Sequence, residues 1–195
     1  MTDNHFYHTH VKDYFNQTKQ VDPSSFLTPL INHLQPGSKI LDTGCGSGRD
    51  MLWLKERGFD CTGIERSPEL AALARQHSGQ PVIAADFVSF DFSRMNMDGV
   101  LLIGALVHIP HEHFSLVFSH ILNSLKPEGH ALMTMKQGQG RQEADDGRIF
   151  YLWEKEDLSR IFKAHGLICI DFSVQTSLVR NTDTWMSFVL RKQVC

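Results

Sequence analysis

KILDTGCGSGRD, residues Lys39 to Asp50, joins a short apolar stretch (Ile40, Leu41) to a helix start. The joint is a bend with glycine at every second position, Gly44, Gly46 and Gly48. Glycine allows positive φ and removes the Cβ that would hold a ligand off the backbone. A strand feeding a helix through such a bend aims backbone N–H groups and the positive end of a helix dipole at one point. The stretch is therefore read as a site for a nucleotide-like or anionic ligand.

Outward from this bend the pattern alternates between strands and helices. On its N-terminal side, Phe26, Leu27, Leu30, Ile31 and Leu34 recur at helical spacing, and Pro36-Gly37 closes that helix. Residues 1–20 are polar with four aromatics and are expected to form an N-terminal arm or lid. On its C-terminal side, Asp50–Arg57 continues the helix to Gly58. Phe59–Ile64 is a second strand ending at Glu65. Ser67-Pro68-Glu69 is a helix start with a cap, a proline at the first turn and an acid beside it. Pro81–Ala85 is a third strand ending at Asp86, and Asp98–Gly104 is apolar enough to be covered on both faces.

His111–Leu125 carries an apolar stripe (Phe114, Val117, Phe118, Ile121, Leu122, Leu125). A turn at 126–129 leads to a fifth strand, His130–Met135, and then to a polar loop over 137–147. Leu152–His165 is expected as a helix, and Leu167–Val174 and Thr184–Leu190 as a final antiparallel strand pair. The sum is α/β: a Rossmann-like, seven-stranded, doubly wound sheet in one domain over residues 1–195. Such sheets bind ligands at the carboxyl ends of their strands. That brings together the bend, Glu65, Asp86-Phe87 and Gly104–His108.

Composition narrows the class. The net charge of -3 gives no whole-chain signal for nucleic acid. The four cysteines, Cys45, Cys61, Cys169 and Cys195, form no CxxC pair and read as reduced thiols in a cytoplasm. There is no signal-peptide core and no apolar run long enough for a membrane span. A monomer or a homodimer is expected.

The bend is GxGxG, not the GxGxxG of a dinucleotide site, and no GK[ST] follows it. Asp42, two residues before Gly44, would repel a pyrophosphate and suits a ligand with a positive group. Glu65, ending the second strand, can accept both hydroxyls of a ribose. An adenosine with a cationic amino-acid tail fits both acids.

The succession ILDTGCGSGRD, GIERS, AADF, DGVLLIGALVHIP and LKPEGHALMTMK resembles the ordered motifs of class I S-adenosylmethionine-dependent methyltransferases. The resemblance runs from about Leu27 to Lys192, and ICIDFSV with WMSFVLR is similar to that family's last two strands. It implies the strand order 3-2-1-4-5-7-6 with strand 7 antiparallel. It implies S-adenosylmethionine as cofactor and S-adenosylhomocysteine as product. Asp42 would meet the methionine ammonium. Gly44, Cys45 and Gly46 would carry the methionyl and ribose part against the backbone, and Arg49 would pair with the methionine carboxylate. Glu65 would bind the ribose hydroxyls and Arg66 would pack beside the adenine. Asp86 would accept from the adenine amino group and the Phe87 N–H would donate to the ring. Gly104 and Ala105 would line the methionyl side.

His108, after the fourth strand, is the candidate general base, with a structural role in packing the site as its rival. His108, His111 and His113 lack a fourth clustered ligand, so no metal is expected. Tyr7, Tyr14, Arg148 and Tyr151 are the candidate substrate contacts. A small-molecule acceptor modified at O, N or S is favoured, because no large insertion offers a broad surface. The alternatives are a tRNA or other RNA nucleoside methyltransferase, with Arg141, Arg148, Lys155 and Arg160 as its basic patch, or a non-catalytic S-adenosylmethionine-binding protein.

Overall fold

The computed structural model describes residues 10–176 and 183–194. In chain order the helices are α1 (Val11–Thr18), α2 (Ser24–Ile31), α3 (Arg49–Lys55), α4 (Pro68–Ser78), α5 (His111–Leu122) and α6 (Lys155–Ala164). The strands are β1 (Lys39–Thr43), β2 (Asp60–Glu65), β3 (Val82–Ala84), β4 (Met97–Ile103), β5 (Leu125–Lys136), β6 (Arg141–Glu143), β7 (Ile149–Tyr151), β8 (Leu167–Thr176) and β9 (Thr184–Lys192). Seven strands form one sheet in the order β3-β2-β1-β4-β5-β9-β8. The first five are parallel, and β9 runs antiparallel to both β5 and β8. With β8 and β9 as the sixth and seventh strands of the sheet, this is the expected order.

The sheet is buried on both faces because its strands are apolar on both. Period-two alternation sends Leu41, Val100, Leu102, Met133 and Phe188 to one side, where they meet Phe114, Phe118 and Phe162 of α5 and α6. Ile40, Leu101, Leu132 and Val189 go to the other, against Leu27, Leu30, Met51, Leu54 and Ala74 of α2, α3 and α4. The stripe read on α5 is buried at Phe114, Val117, Phe118, Ile121 and Leu122. The α4 start is also as read: Ser67 Oγ accepts from the Leu70 amide at 3.4 Å and Pro68 holds the first turn.

Four expectations change. Part of the N-terminal arm is helical: α1 buries Val11, and Phe15 packs edge-on against His77 of α4 at 5.6 Å. β5 starts at Leu125, so the turn expected at 126–129 is an irregularity within the strand, with Glu128 at positive φ. Lys126 is tied there to Asp98, which also accepts from the Lys39 amide. The polar loop after β5 contains a hairpin, β6–β7. It is closed by a tight turn in which the Ala144 carbonyl accepts from Gly147 and Asp146 accepts from the Arg148 amide. The helix expected from Leu152 begins only at Lys155, because the Leu152 and Trp153 amides are tied to the Gly140 and Lys136 carbonyls at the base of that hairpin. The connection at 177–182 lies outside the described residues. Among the described residues, no helix is long and apolar enough to cross a membrane.

The glycine bend depends on one very close approach. Gly48 has φ 73°, and a Cβ built on it would lie 2.8 Å from the Ala74 carbonyl oxygen on α4. Gly48→Ala is expected to cost about 2–4 kcal/mol from the left-handed backbone and the clash together. Thermal melting should show this as a drop of roughly 5–15 °C for a chain of this size.

Candidate active site

The bend after β1 is anchored on the end of β2. Gly44 N–H and Cys45 N–H both donate to the Ile64 carbonyl, at 2.8 and 3.0 Å, and Gly48 N–H donates to the Cys45 carbonyl. Gly44 and Gly46 have φ of 74° and 55°. Both face a cleft of about 630 Å³ at the carboxyl ends of the strands. A Cβ on Gly46 would come within 3.2 Å of the Tyr14 hydroxyl, and one on Gly44 within 3.1 Å of the Ala105 Cβ. The missing side chains therefore keep open a channel between the bend and its neighbours. Cys45 points away from it: its sulfur packs toward Gly63, and burial pushes its thiol up, so it is no ready thiolate.

Two acids attend the bend in different ways. Glu65 is on the cleft wall. Its Oε2 accepts from the Gly46 amide at 3.1 Å and its Oε1 from the Ser67 amide at 2.9 Å. A carboxylate offers about four acceptor sites, so roughly two remain for a ligand. Burial pushes its pKa up, against these amide hydrogen bonds, which hold it down. Asp42 lies beneath the floor of the bend, 2% exposed, with Oδ2 buried and without a hydrogen-bond partner. Burial raises its pKa well above the usual carboxylate range, and the nearby Asp50 adds to the rise. A buried oxygen left in that state is costly unless a donor or a cation reaches it.

Arg49 reaches the cleft too, but its guanidinium already forks onto Asp50 at 2.8 and 3.1 Å and lies over the Phe26 ring. Further along, Arg66 and Asp86 face one another at 3.6 Å across the wall, and Asp86 also accepts from the Val88 amide. The Phe87 ring closes on the Gly44 side. Gly104 and Ala105 line the cleft floor after β4, with the Gly104 amide donating to the Thr134 hydroxyl at 2.9 Å. The structure thus gathers Gly44, Gly46, Arg49, Glu65, Arg66, Asp86, Phe87, Gly104 and Ala105 around one opening.

The other end of the cleft is walled by the β6–β7 hairpin, with Arg148, and by the start of β9, while α1 lies over the bend and brings Tyr14 to the cleft. Arg148 forks onto Asp146 at 2.7 and 3.1 Å. Tyr151 is not on the wall; its ring sits against His111. Tyr7 lies outside the described residues. Of the cations expected to form a basic patch, Arg141 pairs with Glu143 and Arg160 with Asp157, while Lys155 lies over the Phe172 ring.

His108 lines the cleft but is fastened to the hairpin: its Nδ1 is 2.6 Å from the Ile149 carbonyl. A carbonyl only accepts, so Nδ1 carries the hydrogen and Nε2 carries none. Burial pushes the imidazole down to about 4, which makes it a weak base at neutral pH. His111 is tied in the same way to the Leu152 carbonyl at 2.8 Å, so these two rings serve as clasps on the hairpin. The sign of the resulting pH effect is fixed. Between pH 6.5 and about 4 the unfolded chain takes up a proton that the folded imidazole does not. Stability is therefore whole above that window and falls through it, by up to about 3 kcal/mol. Melting curves at about pH 5 and pH 7.5 should show a smaller acid loss for His108→Gln than for the unsubstituted protein.

Among the cleft residues that sequence reasoning missed are Lys136, Phe150, Asp183 and Trp185. Lys136 Nζ is 2.7 Å from Asp183 Oδ2, and both side chains are nearly buried. One signal was available: Lys136 is a charge ending an apolar strand at the sheet's ligand-binding edge.

Comparison with known proteins adds an independent line. Residues 40–129 match the family described as Methyltransferase domain. The putative methyltransferase YqeM of Bacillus subtilis is 29% identical over 133 residues, covering 60% of this chain and 53% of that protein. Protein-L-isoaspartate O-methyltransferase 2 of Rhodopseudomonas palustris is 28% identical over 116 residues, covering 56% and 50%. The chain thus spans about half the length of these curated relatives. Among solved structures, the Burkholderia thailandensis 1,6-didemethyltoxoflavin-N1-methyltransferase, crystallised with S-adenosylhomocysteine, superposes with a TM-score of 0.72 at 19% identity. That match covers 98% of this chain and 82% of that one, and it carries the fold. The stretch holding the glycine bend thus matches a methyltransferase domain, and the sheet order is that of the fold this solved methyltransferase shares with the chain.

Proposed function

We propose that this protein transfers the methyl group of S-adenosylmethionine to an O, N or S atom of a small molecule. The observation that carries this reading is the Glu65 carboxylate, held by two amides on the cleft wall with acceptor capacity left over. A vicinal diol is the partner that fits it. The residues around it fit the rest of the cofactor. The partnerless Asp42 oxygen suits an ammonium, and the absent Cβ atoms at Gly44 and Gly46 leave the backbone open to close approach. When bound, the cofactor supplies an activated methyl group and an excellent leaving group. The protein's task is then alignment, which can contribute roughly 7–11 kcal/mol. Glu65 fixes one end of the nucleoside, the Arg66–Asp86 wall borders its base, and α1 with Tyr14 shields the bend from water.

His108 serves this site by orienting the hairpin wall. A volume near 630 Å³ is in the range of cofactor and small-ligand sites, which favours a small acceptor. Helix α1 is the lid of a one-domain enzyme in this proposal. Free thiols at Cys45, Cys61 and Cys169 support a reducing, cytoplasmic setting. The test is calorimetric titration with S-adenosylhomocysteine, followed by a screen of metabolite pools for turnover of S-adenosylmethionine. One binding site per chain is expected; no heat and no protection against melting would sink the proposal.

A further inference from the structure

Lys136 ends β5 at the acceptor end of the cleft, with its side chain only 4% exposed. Its ammonium sits 2.7 Å from Asp183 Oδ2, 3.8 Å over the Phe150 ring and 5.9 Å from the centre of the Trp185 ring. All four residues line the cleft. An ammonium has three donors. Among the described residues, Asp183 is its one polar partner, and the Phe150 face is a weaker one. A buried ion pair of this kind contributes little stability beyond that of apolar residues of the same volume. Here it is placed at an opening with aromatic walls, and it presents a donor and an acceptor side by side.

Resting on the methyltransferase reading above, we infer that Lys136 and Asp183 together form the specificity-determining receptor for a hydroxyl group on an aromatic acceptor. The hydroxyl oxygen accepts from Lys136 Nζ while its hydrogen is donated to Asp183, and the ring lies against Phe150 and Trp185. A hydroxyl satisfies both members of the pair. A carboxylate would meet the lysine but bring a second negative charge against Asp183. An ether or a bare ring would leave the buried carboxylate without a new donor, and selection against a group that cannot hydrogen-bond is strong at such sites.

The test uses four small probes on the protein saturated with S-adenosylhomocysteine: 4-nitrophenol, 4-nitroanisole, nitrobenzene and 4-nitrobenzoate. Dissociation constants are read by ligand-observed NMR. 4-Nitrophenol is expected to bind at least about tenfold tighter than each of the other three, the worth of one hydrogen bond to a charged group. Lys136→Met should bring 4-nitrophenol to within about twofold of nitrobenzene. Asp183→Asn should instead favour the ionised form, seen as a rise in the visible absorbance of bound nitrophenolate, because the lysine loses its resident counter-charge. A pair with a purely structural role would lower the melting temperature in both variants and leave the ranking of probes unchanged. Equal binding of 4-nitrophenol and nitrobenzene by the unsubstituted protein, or tighter binding of 4-nitrobenzoate, overturns the inference, as does failure of every probe to bind. If Lys136→Met does not fold, the probe ranking and Asp183→Asn still decide it. Failure of S-adenosylhomocysteine itself to bind would instead strike the methyltransferase reading.

Discussion

Asp42→Asn is expected to raise the melting temperature of the free protein while weakening the proposed binding of S-adenosylmethionine. In the free protein the Asp42 carboxylate is buried with an oxygen that no donor reaches, and Asp50 and Glu65 add negative charge nearby. Its raised pKa means that the folded state holds a proton which the unfolded chain has already lost. Stability therefore falls as pH climbs from the ordinary aspartate range toward that raised value. An amide removes the charge and turns a donor toward acidic surroundings, for a gain of about 1–3 kcal/mol at neutral pH. For a chain of this size, that is roughly 2–10 °C in melting temperature. The same change deprives a bound ammonium of its counter-charge, costing about 1.5–3 kcal/mol, or roughly 10–100-fold in affinity. Differential scanning calorimetry and titration calorimetry on one preparation give both numbers. A variant that loses stability and affinity together would show that the oxygen has a role in folding which this geometry does not contain.

Glu65→Ala has the larger effect on binding. It removes the acceptor for a diol and also the carboxylate that fixes the Gly46 and Ser67 amides. Two hydrogen bonds to a charged group are worth about 3–6 kcal/mol, so S-adenosylhomocysteine should bind more weakly by roughly 10²–10⁴-fold. Glu65→Gln should recover little, because its amide would set a donor against one of those two N–H groups. Glu65→Asp should recover part, since it keeps the charge and both acceptors. An affinity within threefold of the original for Glu65→Ala would remove the basis for placing a ribose there.

The parts of this molecule legible in its sequence are those where local chemistry and burial agree. Ser67-Pro68-Glu69 is a helix start in any context, and the α5 stripe needs a core whichever fold provides it. The GxGxG bend and the acids ending β1 and β2 could be placed together because a parallel sheet sends all its strand ends to one side. What escaped notice has no such local mark. All three residues of β6 are exposed, so no apolar alternation distinguishes that strand from a loop. Helix α1 buries Val11 alone and otherwise reads as polar chain. Lys136 and Asp183 meet because β9 runs antiparallel along β5 with Lys136 opposite Trp185. That register is a tertiary fact, and neither residue declares a partner on its own. Tyr151 was placed at the cleft for its position after the loop, but alternation along β7 turns it away and buries Phe150 instead.

The β6–β7 hairpin is an appendage to the main sheet. It forms its own two-stranded sheet, with the Gln137–Trp153 bridge at its base and the His108 and His111 clasps holding it down. The end of the cleft proposed to take the nucleoside is assembled elsewhere, from the turns after β1, β2 and β3. On the proposed function, one wall of the acceptor end is accordingly modular: grafting residues 137–153 from another methyltransferase, with the two histidines and the Lys136–Asp183 pair kept, should change which substituents fit beside the acceptor hydroxyl while leaving the turns after β1, β2 and β3 unaltered.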